Sequence, residues 1–191
     1  MTVAGLVLAA GAGRRMGRPK ALLEYHGRSL LEHAAAILRD GGCAPVYAVL
    51  GAGADEVPAA DGYTAVTNPD WASGMGSSLR AGLSAVGTAC EAVVVTLVDQ
   101  PRLSPRAVER VRAAHRAGAR VAMARYGSRR GHPVLFDASV WGEVARFARG
   151  DSGARAYLAA VPELVVEVDC PGDPSDVDTV AEWRRAIRDP Q

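Results

Sequence analysis

Ten residues, Gly11-Ala12-Gly13-Arg14-Arg15-Met16-Gly17-Arg18-Pro19-Lys20, hold three glycines and four cationic side chains. Glycine lets backbone N–H groups approach an anion with no Cβ in the way. Arginine can clamp a phosphate with two bonds, and lysine offers a compact, mobile charge. The chemistry this run suits is the holding of an oligophosphate. Two common phosphate motifs fail here. A Walker A loop needs lysine directly after its last glycine, but Gly17 is followed by Arg18. The dinucleotide fingerprint needs a third glycine where Met16 stands, and an acidic residue after the second strand, where the chain reads Leu50-Gly51-Ala52. These departures argue against hydride transfer by a Rossmann dinucleotide enzyme. Lys20 is the only lysine among 22 basic residues. Either composition drift spared it or its compact ammonium has a task there. A second feature is Asp99-Gln100-Pro101, a carboxylate directly after a strongly apolar run. Asp99 reads either as a hard oxygen ligand for a divalent cation or as a turn residue before Pro101.

The elements that must position these groups alternate along the chain. Val3–Leu8, Val46–Leu50, Thr64–Thr67, Ala92–Val98, Arg120–Arg125 and Leu164–Val168 read as strands, with Val134–Phe136 as a short returning one. Helices are expected from the capping box Ser29–Glu32 to Gly41, over Ser77–Val86, and from Ser104-Pro105 onward. Further helical patterns fall near Ser139–Phe147, over Gly153–Ala159, and along Val177, Val180, Trp183 and Ile187. Alternation of this kind predicts a three-layer α/β/α fold with a mostly parallel, Rossmann-like sheet. Ligands of such folds sit at the carboxyl ends of the strands, where the Gly11–Lys20 loop and Asp99 both fall. Residues after Arg188 are expected to fray.

With 191 residues the chain fits one domain, residues 1–191. A net charge of +1 argues against bulk nucleic-acid or anionic-membrane binding. No run approaches the 18 apolar residues of a spanning helix. The apolar start is followed, not preceded, by Arg14 and Arg15, the wrong polarity for a signal peptide. Three scattered cysteines, Cys43, Cys90 and Cys170, read as reduced thiols in or near the core. The expected location is the cytoplasm.

The run Leu8-Ala9-Ala10-Gly11-x-Gly13-x-Arg15-Met16-Gly17-x-Pro19-Lys20 resembles the signature of the MobA-like nucleotidyltransferases. Asn68-Pro69-x-Trp71-x-x-Gly74-Met75-x-x-Ser78-Leu79 is similar to the family's second substrate loop. Asp99-Gln100-Pro101, Gly131-His132-Pro133-x-x-Phe136, Gly150-Asp151-x-Gly153-Ala154-Arg155 and Asp176-x-Asp178-Thr179 match further family segments. The resemblance spans nearly the whole chain. Within the family it is closest to the molybdenum cofactor cytidylyltransferases, which implies the nucleotide-diphospho-sugar transferase fold.

The resemblance implies transfer of CMP from CTP to a phosphate monoester, of the molybdopterin type in that family, with release of pyrophosphate. Arg15, Lys20 and Asp99 would be the catalytic groups, and Asp99 and Asp178 the ligands of Mg²⁺. Leu8, Ala9, Ala10, Gly11 and Gly13 would hold the nucleotide together with Arg15, Lys20 and Gln100. Ala10 and Gln100 tilt the choice to CTP over GTP. Asn68, Gly74, Met75, Ser77, Ser78 and His132 would meet the second substrate. Ser77 and Ser78 could equally cap a helix, Trp71 could pack or stack on a pterin, and His132 could donate to substrate or order its loop. Arg129, Arg130 and Arg155 add possible phosphate contacts. A molybdoenzyme or its chaperone would be the protein partner. Two departures stand out: Val180 replaces the family proline after Thr179, and Gly13 replaces a common serine. The alternatives are GTP or another acceptor, such as a sugar or methylerythritol phosphate, a nucleotide-binding accessory protein, and an oxidoreductase like the relatives called nicotine blue oxidoreductase.

Overall fold

A computed structural model describes residues 2–188, so the expected fraying after Arg188 lies outside the described residues. The first strand, β1 (Val3–Leu8), is buried along its whole length, as an apolar run flanked by strands on both sides must be. A hairpin of two short strands follows, β2 (Glu24–Tyr25) and β3 (Arg28–Ser29). Helix α1 (Leu30–Asp40) starts at Ser29, whose side chain and that of Glu32 satisfy each other's backbone N–H. Then come β4 (Val46–Leu50), β5 (Thr64–Thr67), α2 (Met75–Val86), β6 (Ala92–Leu97) and α3 (Pro105–Arg116). The second half runs β7 (Val121–Tyr126), β8 (Arg129–Asp137), α4 (Trp141–Phe147), α5 (Arg155–Ala160), β9 (Val165–Asp169) and α6 (Val180–Arg188).

Among the described residues, seven strands form one sheet in the order β5-β4-β1-β6-β8-β7-β9. Strands β4, β1 and β6 pair in parallel, as do β4 with β5 and β7 with β9. Only β8 runs antiparallel to its neighbours, β6 and β7, among these described strands. The mostly parallel α/β sheet expected from the sequence is therefore present. One apolar cluster lies on the α1, α3 and α6 side, including Leu30, Leu38, Val108 and Ala186. The other lies on the α2, α4 and α5 side, including Leu79, Leu83, Val144 and Tyr157. Cys43 and Cys90 are buried, Cys170 is partly buried, and all are free thiols.

Two elements differ from the sequence reading. Strand β8 is nine residues long, not the three of Val134–Phe136. Its first half is polar, with Arg129 and Arg130 exposed and Gly131 and His132 half-buried, so it carries no apolar signal. Backbone pairing holds it instead, with Gly131, Arg130 and Arg129 opposite Ala124, Arg125 and Tyr126. The β2–β3 hairpin was not expected. His26 and Gly27 take φ of 48° and 80°, the two left-handed positions of a tight hairpin turn. Its two-residue strands are too short to show an alternation.

The reversal of β8 matters for function. Val134 of β8 lies opposite Val95 of β6, so the start of β8 reaches the edge of the sheet where β6 ends. Arg129, Arg130, Gly131 and His132 are thereby brought to the carboxyl edge of the parallel strands.

Candidate active site

The loop after β1 is anchored before it turns. Ala9 N–H donates to Val49 O at 2.9 Å, and Ala52 N–H donates to Ala10 O at 3.1 Å. The small, buried Ala9 and Ala10 thus sit against the end of β4. Gly13 then turns the chain at φ +59°, and a Cβ there would lie 1.9 Å from Arg18 O. A side chain at that position would force the loop to open. Gly13 in place of the family serine is therefore part of how this loop closes. A single 3-10 turn, Arg14–Met16, follows and carries Arg15 outward.

Arg15, Lys20, Asp99 and Asp178 meet at one point, although they come from three distant parts of the chain. Lys20 Nζ donates to Asp99 Oδ2 at 2.8 Å and to Asp178 Oδ1 at 2.6 Å. Arg15 Nη2 donates to Asp178 Oδ2 at 2.9 Å. The Arg15 side chain is 70% exposed, whereas Lys20 is 15% exposed, so the two cations serve different depths of the site. Burial pulls the Lys20 ammonium down, but Asp99 and Asp178 together outweigh it and hold the group above the ordinary lysine value. The hydrogen bond from Lys20, helped by Arg15, holds the Asp178 carboxyl below its usual range.

Asp178 is fixed by a second capping box. Its backbone N–H and that of Thr179 both donate to Glu182 Oε2, at 2.9 and 2.8 Å. Glu182 N–H donates back to Thr179 Oγ1 at 3.3 Å. This box starts α6 without the family proline, since Val180 needs only a helical backbone there. The Thr179-x-x-Glu182 spacing is the signal that could have located it.

A cleft of about 520 Å³ opens beside these groups, between the ends of β1 and β6. Its lining includes Leu8, Ala9, Ala10, Gly11 and Gly13 from the loop, together with Arg15, Lys20, Asp99 and Asp178. Trp71, Gly74, Met75 and Ser78 supply the facing wall. A second cleft of about 430 Å³ adjoins it and shares Leu8, Met75, Leu97 and Asp151. Its floor is apolar, with Leu79, Val95, Met123 and Phe136, and its polar residues include Gln100, His132, Arg155 and Asp176.

The donor set fits a hard divalent cation. Asp99 Oδ1 is buried and has no hydrogen-bond partner among the described residues. Asp99 and Asp178 converge on the same ammonium, so both carboxylates face one point. No group of three or more His, Cys, Asp or Glu side chains that could hold a metal occurs among the described residues. Two carboxylates with the rest of the shell from phosphates and water is the pattern of Mg²⁺.

Several expected substrate residues are placed differently. Gln100, expected at the nucleotide, lines the second cleft and not the first. Its Nε2 donates to Asp176 Oδ1 at 2.7 Å and to Pro174 O at 3.1 Å. Asn68 is buried and lines neither cleft. Its Nδ2 donates to Ser77 Oγ at 2.8 Å and Ser78 Oγ at 3.1 Å. Ser77 in turn donates to Gly74 O or Asp70 O. Asn68 and Ser77 thus brace the start of α2 from within, while Ser78, Gly74 and Met75 reach the first cleft. Gly74 allows this start to close on the Gly150–Asp151 segment, where a Cβ would lie 2.5 Å from the Gly150 carbonyl carbon. Asp151 and Asp176 face the clefts without having been assigned a role. Their family segments were visible in sequence, but spacing alone does not say which carboxylate points inward.

His132 lines the second cleft. Burial pushes its imidazole down to about 4, with the Asp99 charge opposing this only in part. The unfolded chain therefore binds a proton between about pH 6.5 and 4 that the folded state resists. This stabilising contribution is present above about pH 6.5 and is lost as pH falls towards 4. Thermal melts across this window are expected to fall less steeply for His132→Gln than for the parent. Parallel slopes would show that His132 does not carry the acid sensitivity.

A glycine-rich cationic loop at the carboxyl edge of a mostly parallel sheet, facing two carboxylates, is the architecture of a nucleotidyltransferase. The chain belongs to the family of MobA-like NTP transferase domains, whose model matches residues 5–168. It is 46% identical over 198 residues to nicotine blue oxidoreductase of Paenarthrobacter nicotinovorans, covering 97% of this chain and 96% of that one. It is 39% identical over 119 residues to molybdenum cofactor guanylyltransferase of Rhodobacter capsulatus, covering 60% of each. Rv0371c of Mycobacterium tuberculosis H37Rv in complex with manganese superposes with a TM-score of 0.80 at 30% identity, covering 98% of this chain and 99% of that one. No helix among the described residues is long and apolar enough to cross a membrane.

Proposed function

We propose that the protein transfers CMP from CTP to a phosphate monoester of the molybdopterin type, with Mg²⁺ as cofactor. A phosphate oxygen of the acceptor attacks the α-phosphorus, the bond to the β-phosphate bridging oxygen breaks, and pyrophosphate leaves. The observation that carries this reading is the meeting of Arg15, Lys20, Asp99 and Asp178 beside the glycine loop. Asp99 and Asp178 would hold the metal, which supplies positive charge to the triphosphate. The backbone of Gly11–Gly13 approaches the phosphates closely. Arg15, exposed at the mouth of the first cleft, binds the outer phosphates. Lys20, seated deeper, neutralises charge that develops at the α-phosphate. Ala9 and Ala10 support the base, and the Ala10 methyl leaves less room for a purine than a glycine would, which supports CTP. The name of the Rhodobacter capsulatus relative supports an acceptor related to the molybdenum cofactor. A molybdoenzyme or its chaperone in the cytoplasm would receive the product.

A second reading is an oxidoreductase, favoured by the 46% identity to nicotine blue oxidoreductase across nearly both chains. One screen separates the two. Purified protein with Mg²⁺ is offered CTP, GTP, ATP and UTP, each with molybdopterin, a sugar phosphate and methylerythritol phosphate. Pyrophosphate release is read beside NADH and NADPH consumption. CTP with molybdopterin is expected to give the fastest pyrophosphate release. Nicotinamide oxidation without pyrophosphate from any pair would overturn the proposal in favour of the second reading.

A further inference from the structure

Gln100 lines the second cleft, and its amide oxygen has no hydrogen-bond partner among the described residues. Gln100 is 5% exposed, and both protons of its Nε2 are engaged, by Asp176 Oδ1 and by Pro174 O. Those two acceptors fix the orientation of the amide, because a flip would set its oxygen against the Asp176 carboxylate. The remaining atom, Gln100 Oε1, is buried with no partner among the described residues. A buried carbonyl left unpaired has lost its water without gaining a partner, which is costly unless a ligand supplies one. Asp176, exposed along the same cleft, uses only Oδ1 in this pair. Its second oxygen makes no hydrogen bond among the described residues. The hydrogen-bonded pair Gln100–Asp176 thus keeps one acceptor oxygen on each side chain unused, in a cleft whose lining also includes the apolar Val95, Met123 and Phe136. Arg155 lines the same cleft and has no carboxylate partner among the described residues.

We propose that Gln100 and Asp176 determine specificity for the acceptor and not for the nucleotide. Gln100 Oε1 and Asp176 Oδ2 read two adjacent N–H donors on the edge of a planar heterocycle. The ring face lies on the apolar floor, and an anionic substituent is drawn to Arg155. A 2-amino-4-oxo pyrimidine edge, as in a pterin, has this donor pattern, whereas a 2,4-dioxo edge offers a carbonyl in place of the amino donor. A carbonyl there meets a carboxylate or amide oxygen and is repelled. The inference rests on the pterin-type acceptor proposed above, and it moves Gln100 from the donor side of the reaction to the acceptor side.

The test uses two fluorescent probes with the same bicycle and carboxylate, 6-carboxypterin and 6-carboxylumazine. Binding to the full chain is read by fluorescence titration, and CTP with Mg²⁺ is read separately by thermal shift. The parent protein is expected to favour the pterin by about tenfold or more. Gln100→Met and Asp176→Ala are each expected to lose that preference while the CTP-induced shift is kept. Melting without ligand checks the fold. If burial makes Gln100→Met unfold, the exposed position of Asp176→Ala carries the result. Variants that keep the parental preference overturn the inference and leave the acceptor class standing. A loss of the CTP shift with preference intact returns Gln100 to the nucleotide and also overturns it. A parent that binds neither probe overturns the acceptor class and this inference with it.

Discussion

Asp99→Ala is expected to lower pyrophosphate release by about a hundredfold or more, the usual cost of removing one preorganised electrostatic contact. Asp99 closes β6 and offers two oxygens with different fates. Oδ2 holds Lys20, and Oδ1 is buried without a partner among the described residues. Alanine removes both at once, so Lys20 is left with Asp178 alone and the metal position loses its deeper carboxylate. Asp99→Asn separates these effects. It keeps the size of the side chain and one oxygen while removing the charge. The residual rate of Asp99→Asn should rise with metal concentration more than that of the parent. Glu109→Ala, on the outer surface of α3, serves as the control. Parental turnover in Asp99→Ala would remove Asp99 from the reaction.

The second large effect is expected from Lys20→Arg, a change that preserves charge. Lys20 Nζ reaches two carboxylates from a seat that is 15% exposed. A planar guanidinium is wider and directs its donors along a fixed fork. It cannot take the place of a compact ammonium between Asp99 and Asp178 without displacing one of them. We expect turnover to fall by about tenfold to a hundredfold, with the melting temperature lowered only slightly. Near-parental activity would mean that the single lysine in a chain of arginines is an accident of composition.

The sequence made the frame legible because apolar runs and caps act locally. Val3–Leu8 has no polar side chain and is buried throughout, Ala92–Leu97 is apolar but for Thr96 and buried up to Leu97, and Ser29 with Glu32 starts α1 as its spacing requires. The polar half of β8 was not legible, since its order comes from backbone pairing with β7 and an Arg130–Glu167 ion pair, both made with distant segments. At the site, the residues with fixed spacing along one loop were the readable ones, namely Gly11 to Lys20. The contacts that depend on distant segments were not. Gln100 turns to Asp176 across a sequence separation of 76, and no local pattern reports such a turn. Asn68 carried a motif position but spends its amide on Ser77 and Ser78, which is an interior brace.

The reversed strand β8 has a consequence for how such a chain can diversify. Apart from Asp151 and Asp178, every residue lining the first cleft precedes position 100. Most of the second cleft is drawn from positions 100–176, and β8 is the strand that brings Arg129, Arg130, Gly131, His132, Val134 and Phe136 of that set back to the shared edge. On the function proposed above, the turn after β6 would divide the chain into an earlier part that, with Asp178, holds the nucleotide and a later part that meets the acceptor. Exchange or drift in the later half can alter what is modified while the phosphate-binding loop stays as it is. Relatives that share this framework but carry the names of different reactions are what such a division would produce.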